Sequence, residues 1–137
     1  MAEYFIGPNR FEAQSLEAGL YVTATPIGNL GDVTLRALAT LAAADYVLCE
    51  DTRVTSRLLE RYGIRNTMKP YHEHNAEKVR PAIIAALHEG KSFALVSDAG
   101  VPLVSDPGFR LVQACIAENI MVTGLPGASA EIGRAHV

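Results

Sequence analysis

The chain has 137 residues, of which 49% are hydrophobic and 20% are charged, enough for one buried core but few for two. Its net charge of -3 and pI near 5.8 argue against a domain that grips nucleic acid by a broad basic surface. Any RNA contact must therefore be local or be supplied elsewhere. No apolar run approaches the ~18 residues of a membrane span, and a signal-peptide pattern is lacking, so a cytoplasmic location without membrane contact is expected.

The two cysteines, Cys49 and Cys115, both stand in apolar runs. Such surroundings are typical of reduced, buried thiols. We therefore expect neither a disulfide nor a metal site from them.

From Leu20 onwards, short β-rich runs alternate with helical patterns, which is typical of βαβ units. The predicted fold class is α/β, with a five-stranded, mostly parallel sheet flanked by helices. The predicted strands cover residues 20–24, 45–50, 67–71, 92–96 and 120–123. Residues 1–18 show no clean period and are expected to form a leader or mobile tail.

Four helices are predicted between these strands. Apolar residues that define the inner faces of the first two are Leu35, Leu38 and Leu41, then Leu58, Leu59 and Tyr62. Gly63 should end the second helix in the left-handed conformation. Asn75 should cap the third helix and Gly90 should end it, while Pro81 should kink or restart it. Asp106 should cap the fourth, with a proline at its first position.

A glycine-bearing turn at residues 25–32 follows the first predicted strand, where backbone amides can approach a ligand. Glu50 and Asp51, some twenty residues later, suggest a dinucleotide-binding fingerprint. However, Gly28 and Gly31 do not give its glycine spacing, and Pro26 removes an amide that a pyrophosphate would need. The alternative is that both glycines only allow the chain to turn and bind no ligand.

A longer polar loop at residues 97–108 follows a very apolar strand, at the edge where open α/β sheets bind ligands. A carboxylate there could accept hydrogen bonds from an adenosine ribose or a methionyl amino group without a metal. Asp106 has the alternative role of a helix cap, whereas Asp98 has no such role. Residues 125–130 are small, so a ligand could lie against the main chain, or they form a simple turn.

His72 and His74 end the third predicted strand. Two histidines two positions apart on an extended segment should point to opposite faces, so a shared metal is not expected. Contact with a polar substrate is the favoured interpretation.

Four pieces of the chain together resemble the 16S rRNA ribose 2′-O-methyltransferases of the tetrapyrrole methylase superfamily. They are ATPIGNLGD at 24–32, CEDTR at 49–53, HEHN at 72–75, and SDAG through SDPG at 97–108. The resemblance covers about residues 19–130. It implies methylation of a cytidine ribose with S-adenosylmethionine, and a fold of two α/β domains with the cofactor between them. Residues 19–130 would be the N-terminal domain, and the C-terminal domain would be missing.

The resemblance also implies site residues. Those expected to contact S-adenosylmethionine are Pro26, Ile27, Asp98, Val101, Ser129 and Ala130. Four other residues, Arg53, His72, His74 and Asn75, are expected to contact 16S rRNA in the small ribosomal subunit, because they end strands on the same ligand-bearing edge without metal-like spacing. No catalytic base is assigned: Glu50 and the two histidines have suitable chemistry, but the base could equally belong to the missing domain. The full-length protein is expected to form a homodimer.

The last residues, 131–137, resemble the in-frame translation of a sequencing adapter, so we expect a non-native tail whose Arg134 and His136 belong to no site. Two rival functions remain open. One keeps the superfamily but takes a small tetrapyrrole or a modified protein side chain as substrate, although the pieces at 49–53 and 72–75 favour rRNA. The other is a non-catalytic nucleotide- or RNA-binding module.

Overall fold

The structure, a computed structural model, describes residues 2–26, 30–97 and 106–125. Within these ranges the chain forms two small strands, then alternating strands and helices. In chain order the elements are β1 (Glu3–Ile6), β2 (Asn9–Glu12), β3 (Gly19–Ala24), a 3₁₀ turn (Leu30–Asp32), α1 (Leu35–Ala43), β4 (Tyr46–Cys49), α2 (Thr52–Arg61), β5 (Met68–Pro70), α3 (Ala76–His88), β6 (Ser92–Ser97), α4 (Asp106–Ala117) and β7 (Val122–Leu125).

Five strands form one sheet in the order β5-β4-β6-β3-β7, and every neighbouring pair is parallel. This confirms the predicted α/β class and five-stranded sheet, whose strand bounds differ from the predictions by at most two residues. The register places Ala24 opposite Ser97 and Thr23 opposite Leu125. The carboxyl ends of β6, β3 and β7 therefore lie side by side.

Two apolar clusters cover the two faces of the sheet. One joins α1 and α2 to the sheet through residues such as Leu41, Val47 and Leu58. The other joins α3 and α4 to it through residues such as Leu20, Ile83, Leu111 and Cys115. The sheet is thus the middle layer of three, as expected for a parallel sheet with helical crossovers.

The predicted inner faces of the first two helices are confirmed at five of the six positions, the exception being Leu35. Leu35 is 59% exposed because it is the first residue of α1, whereas Leu38 and Leu41 are buried. Both cysteines are buried, as predicted. Burial raises the pKa of Cys115 to about 11, which keeps that thiol protonated at neutral pH.

Residues 3–12 form a β-hairpin instead of the expected mobile tail. Its two-residue loop begins at Gly7, whose φ of 59° suits the first central position of a hairpin turn. Tyr4 is only 8% exposed and packs in the cluster with α1 and α2, while the Phe5 amide donates to the Tyr62 carbonyl at 2.7 Å. Burial of these aromatic side chains fixes the hairpin on the domain.

The glycines predicted to end helices do so. Gly63 follows α2 with φ 60°, and Gly90 follows α3 with φ 97°. A Cβ on Gly63 would lie 2.6 Å from the Phe5 ring, so this position also allows the hairpin to approach closely.

The starts of the last two helices differ from the predictions. Asn75 occupies the position before α3, but its side chain makes no capping hydrogen bond there. Pro81 neither ends nor restarts α3, which runs as one element across it. α4 begins at Asp106 itself, whose carboxylate lies 3.5 Å from the Arg110 guanidinium one turn later. Asp106 therefore stands in the first turn of the helix.

Candidate active site

The carboxyl ends of all five parallel strands lie on the same side of the sheet, which we call the ligand-bearing edge. The segments singled out from the sequence follow these carboxyl ends. The first loop follows β3 directly, and the long polar loop follows β6. The Thr25 amide donates to the Ser97 carbonyl at 2.8 Å, and the Thr25 hydroxyl donates to the same oxygen at 3.3 Å. These two bonds hold the beginnings of both loops together.

The residues expected to contact S-adenosylmethionine follow these neighbouring strands. Pro26, directly after Thr25, is half-buried at the edge. The other five, Ile27, Asp98, Val101, Ser129 and Ala130, lie outside the described residues. The structure thus brings together the strand ends that lead to the three segments, from adjacent positions β6, β3 and β7.

These strand ends offer a neutral wall. Ala24, Thr25, Pro26, Ser97 and Leu125 are all uncharged, and Thr25 is buried with its polar groups bonded to Ser97. A sulfonium ligand carries a positive charge, so a wall without cations does not repel it. The charge of the described residues is therefore compatible with S-adenosylmethionine.

Asp51 and Arg53 form a local pair just after β4. Asp51 caps α2 by accepting a hydrogen bond from the Arg53 amide at 2.9 Å, and the Arg53 guanidinium donates to both carboxylate oxygens at 3.1 and 3.2 Å. The side-chain bond, followed by the amide bond, lowers the pKa of Asp51 below its ordinary value. The Arg53 side chain is nevertheless 87% exposed, so it can still meet a substrate.

His72 and His74 do not point to opposite faces, contrary to the prediction. Residues 73–75 form a turn, and the two rings lie edge to face with centroids 5.9 Å apart. The cause is Asn75, whose side-chain oxygen accepts from the His72 amide at 2.8 Å and whose amide group donates to the Pro70 carbonyl at 2.9 Å. The turn thus presents two imidazoles on the same side of the edge.

The imidazole pair does not extend to a metal centre. The His74 amide lies 3.2 Å from Nδ1 of His72 and donates to it, which leaves the proton of a neutral ring on Nε2. Across residues 2–26, 30–97 and 106–125, no group of three or more histidine, cysteine or acidic side chains could hold a metal ion. Glu50 is exposed directly after β4.

Tyr71, which was not predicted as a site residue, connects the segment after β5 to the segment after β6. It is 2% exposed, donates its hydroxyl proton to the Pro107 carbonyl at 2.7 Å, and accepts from the Arg80 guanidinium at 3.0 Å. Burial raises the pKa of Tyr71, while the Arg80 bond acts against that rise. The segment that carries His72 is thereby tied to the start of α4. The sequence indicated only that an aromatic residue precedes His72. The contact itself could not be predicted, because Pro107 lies 36 residues further along the chain.

Comparison with known proteins identifies the family. A profile of the tetrapyrrole (corrin/porphyrin) methylases matches residues 19–135, most of the chain. The chain belongs to this family. The hairpin at residues 3–12 precedes the matched region, whereas the whole five-stranded sheet falls within it.

Several curated relatives of this tetrapyrrole methylase carry the name ribosomal RNA small subunit methyltransferase I. The protein from Mesorhizobium japonicum is 59% identical over 127 residues, which are 93% of this chain and 43% of that protein. Those from Halalkalibacterium halodurans and Escherichia coli O157:H7 are 51% and 46% identical, over 82% and 88% of this chain. The chain spans only 39–43% of the length of these three relatives.

Solved structures share the fold. A uroporphyrin-III-C-methyltransferase from Thermus thermophilus matches with a TM-score of 0.63 and 24% identity, over 82% of this chain and 49% of that one. A conserved hypothetical protein from Aeropyrum pernix K1 matches with a TM-score of 0.62 and 21% identity, over 83% of this chain and 40% of that one. In the part of the chain that the structure describes, no helix has the length and apolar character to cross a membrane.

Proposed function

We propose that this chain is the first part of an S-adenosylmethionine-dependent methyltransferase that methylates the ribose 2′-hydroxyl of a cytidine in 16S rRNA. The observation that carries the proposal is the 46–59% identity to three proteins named ribosomal RNA small subunit methyltransferase I. Since these identities extend over 82–93% of the chain, they favour rRNA over a tetrapyrrole or protein substrate.

In this proposal the neutral half of the ligand-bearing edge, at the ends of β6, β3 and β7, binds the cofactor. Pro26 and Ile27 in the first loop would contact S-adenosylmethionine. So would Asp98 and Val101 in the long loop, and Ser129 and Ala130 after β7. The adjacency of β6, β3 and β7 and the Thr25–Ser97 bonds support it, because they start the first two loops from one place.

The other half of the ligand-bearing edge, formed by the segments after β4 and β5, would bind the substrate. We assign Arg53, His72, His74 and Asn75 to contact with 16S rRNA in the small ribosomal subunit. Arg53 and His74 are exposed next to the strand ends, as a residue that contacts a large ligand must be. Asn75 would act mainly by shaping the turn that carries the two imidazoles.

The chemistry needs a ribose hydroxyl to lose its proton while the methyl group is presented in line. When bound, S-adenosylmethionine supplies an electrophilic methyl group. We leave the base unassigned, since a second α/β domain, proposed to complete the cleft, could provide it. We further propose that the complete protein is a cytoplasmic homodimer.

A chimera tests this function. It joins residues 1–130 of this chain to the part of the Mesorhizobium japonicum relative that follows the position equivalent to Ala130. Positioning of donor and acceptor supplies about 7–11 kcal/mol of the barrier, and one domain offers only one wall of the cleft. We expect the chimera to methylate a 16S cytidine ribose in small ribosomal subunits with labelled cofactor, and the 137-residue chain to be inactive.

The product decides between the alternatives. A 2′-O-methylcytidine in 16S rRNA supports the proposal, whereas a methylated tetrapyrrole or protein would replace it. Comparable activity of the short chain would refute the requirement for a second domain. An inactive chimera that still binds rRNA would favour the non-catalytic binding module.

A further inference from the structure

Cationic side chains recur every four residues along α2 and beyond it. Arg53, Arg57 and Arg61 stand on the helix, and Arg65 and Lys69 continue the spacing to β5. Arg53, Arg57 and Arg61 share one face of α2, since residues four apart lie on the same side of a helix. Arg65 and Lys69 follow the helix, and all five side chains are exposed. We call Arg53, Arg57, Arg61 and Arg65 the arginine face.

The arginine face is a local exception to the charge of the chain. Residues 51–69 hold five cations and two acids, a net charge of +3. Since the whole chain has -3, the other 118 residues carry -6. Such a local surface is one of the two ways in which an acidic chain can contact RNA, the other being a surface supplied elsewhere.

These arginines contribute little ion pairing to the fold, although the Arg61 guanidinium lies 5.7 Å from the centroid of the Tyr62 ring. Within the described ranges, the carboxylates lie more than 4 Å from the charged nitrogens of Arg57, Arg61 and Arg65, whereas Arg53 pairs with Asp51. Like charges four apart on a helix repel one another. The inner side of α2, with Leu58 and Leu59, already supplies its packing.

The position of the arginine face links it to the candidate active site. α2 begins directly after β4, so Arg53 lies at the ligand-bearing edge and Arg61 lies further along the flank. The eight residue steps from Arg53 to Arg61 rise about 12 Å along the helix. A polyanion bound at the edge would therefore continue along α2.

We propose that the arginine face binds the phosphate backbone of rRNA beside the nucleotide that enters the active site. This inference rests on the proposed function and adds a surface to it. Guanidinium groups match phosphate oxygens in paired hydrogen bonds, and such contacts position RNA without reading its sequence. Arg57, Arg61 and Arg65 set affinity, while the edge residues meet the target nucleotide.

The test measures binding of the chimera to 16S rRNA between 50 and 200 mM salt, two concentrations on the order of those at which phosphate contacts weaken. In the variant Arg57→Gln/Arg61→Gln, the affinity should fall roughly tenfold and the slope of log K against log salt should drop by about 1 per arginine. S-adenosylmethionine affinity should stay unchanged. Tm should change little, because the relief of repulsion is offset by the loss of the Arg61 contact with the Tyr62 ring.

Two controls sharpen the result. Lys91→Gln removes one exposed cation directly before β6, at the opposite edge of the sheet, and should change the salt slope little. Arg57→Lys/Arg61→Lys keeps the charge and should recover most of the salt slope. The proposal is overturned if the double glutamine variant binds as the unsubstituted chimera does, if Lys91→Gln weakens binding equally, or if the unsubstituted chimera fails to bind rRNA. If it binds but methylates another molecule, the proposed function fails and the binding comparison still decides the role of the arginine face.

Discussion

At the ends of β3 and β6 the side chains are small and neutral, whereas the segments after β4 and β5 carry arginine, histidine and asparagine. In the first half, the Thr25 groups bond to the Ser97 backbone, and long loops follow. In the second half, side chains fold the backbone into a helix cap and a turn, at Asp51 and Asn75. The first half suits a small ligand held largely by loops, and the second suits a large ligand met by exposed side chains.

The two halves are not independent, because Tyr71 joins them. Its hydroxyl donates to the carbonyl of Pro107, in the first turn of α4, while the next residue in the chain is His72. A change on one side can therefore reach the other through a single buried group. Substitutions confined to one half should therefore separate the roles of the two.

The largest effect is expected at Asp98 in the cofactor half. Loss of hydrogen bonds to a charged group costs about 1.5–3 kcal/mol, so Asp98→Ala in the chimera should weaken S-adenosylmethionine binding roughly 10- to 100-fold. Calorimetric titration measures it. Affinity for 16S rRNA should change little, and an undiminished affinity for the cofactor would remove Asp98 from the site.

Tyr71→Phe should destabilise the domain by about 1–3 kcal/mol, because it leaves the Pro107 carbonyl and the Arg80 guanidinium without their partner. Urea unfolding of the chimera measures this change. Tyr46→Phe is the matched control, since Tyr46 is half-buried beside Phe93 without a hydroxyl hydrogen bond in the described part of the chain. If the two variants lost the same free energy of unfolding, the hydrogen bonds of the Tyr71 hydroxyl would not stabilise the domain.

His74→Ala tests the substrate half. Methylation of small ribosomal subunits should fall several-fold, mainly through a higher KM, while S-adenosylmethionine binding stays nearly intact. His88→Ala is a suitable control, because His88 is an exposed histidine at the end of α3, paired with Glu118. If His74→Ala instead abolished cofactor binding, the division of the edge into two halves would be wrong.

Much of this architecture was predictable because it follows from local periodicity. The run at residues 92–97 and the faces with Leu38 and Leu58 carry their burial pattern in the sequence. The hairpin was missed although four residues ending in Ile6 precede a Gly-Pro-Asn turn, a pattern that indicates a hairpin. Its stability comes from packing on Gly63, which is remote in sequence.

The site was less predictable than the fold. The loop positions followed from the rule that parallel strands end at one edge. The imidazole pair did not, because a single bond from the His72 amide to the Asn75 side chain turns a segment that reads as extended. The role of Tyr71 could not be predicted for a different reason, because its hydrogen-bond partners Arg80 and Pro107 belong to two other elements.

The smallest expected effect concerns the exposed pair of Asp51 and Arg53. The pKa of Asp51 is lowered in the folded chain, first by the Arg53 side chain and then by its amide. A lowered folded-state pKa stabilises the fold above the ordinary value of 3.8, and this contribution is lost as pH falls through the lowered pKa. Arg53→Gln removes the larger cause, so the pKa should rise towards its ordinary value and the acid limb of the stability curve should move to higher pH.

NMR titration of the Asp51 carboxyl measures this shift directly. Because the pair is exposed, added salt should reduce the difference between the two forms. Arg110→Gln, which removes the partner of Asp106 on α4, should leave the Asp51 titration unchanged. If Arg53→Gln also leaves it unchanged, the amide cap alone holds the carboxylate. The Arg53 guanidinium would then cost little to detach from Asp51, which would leave it ready to pair with a phosphate.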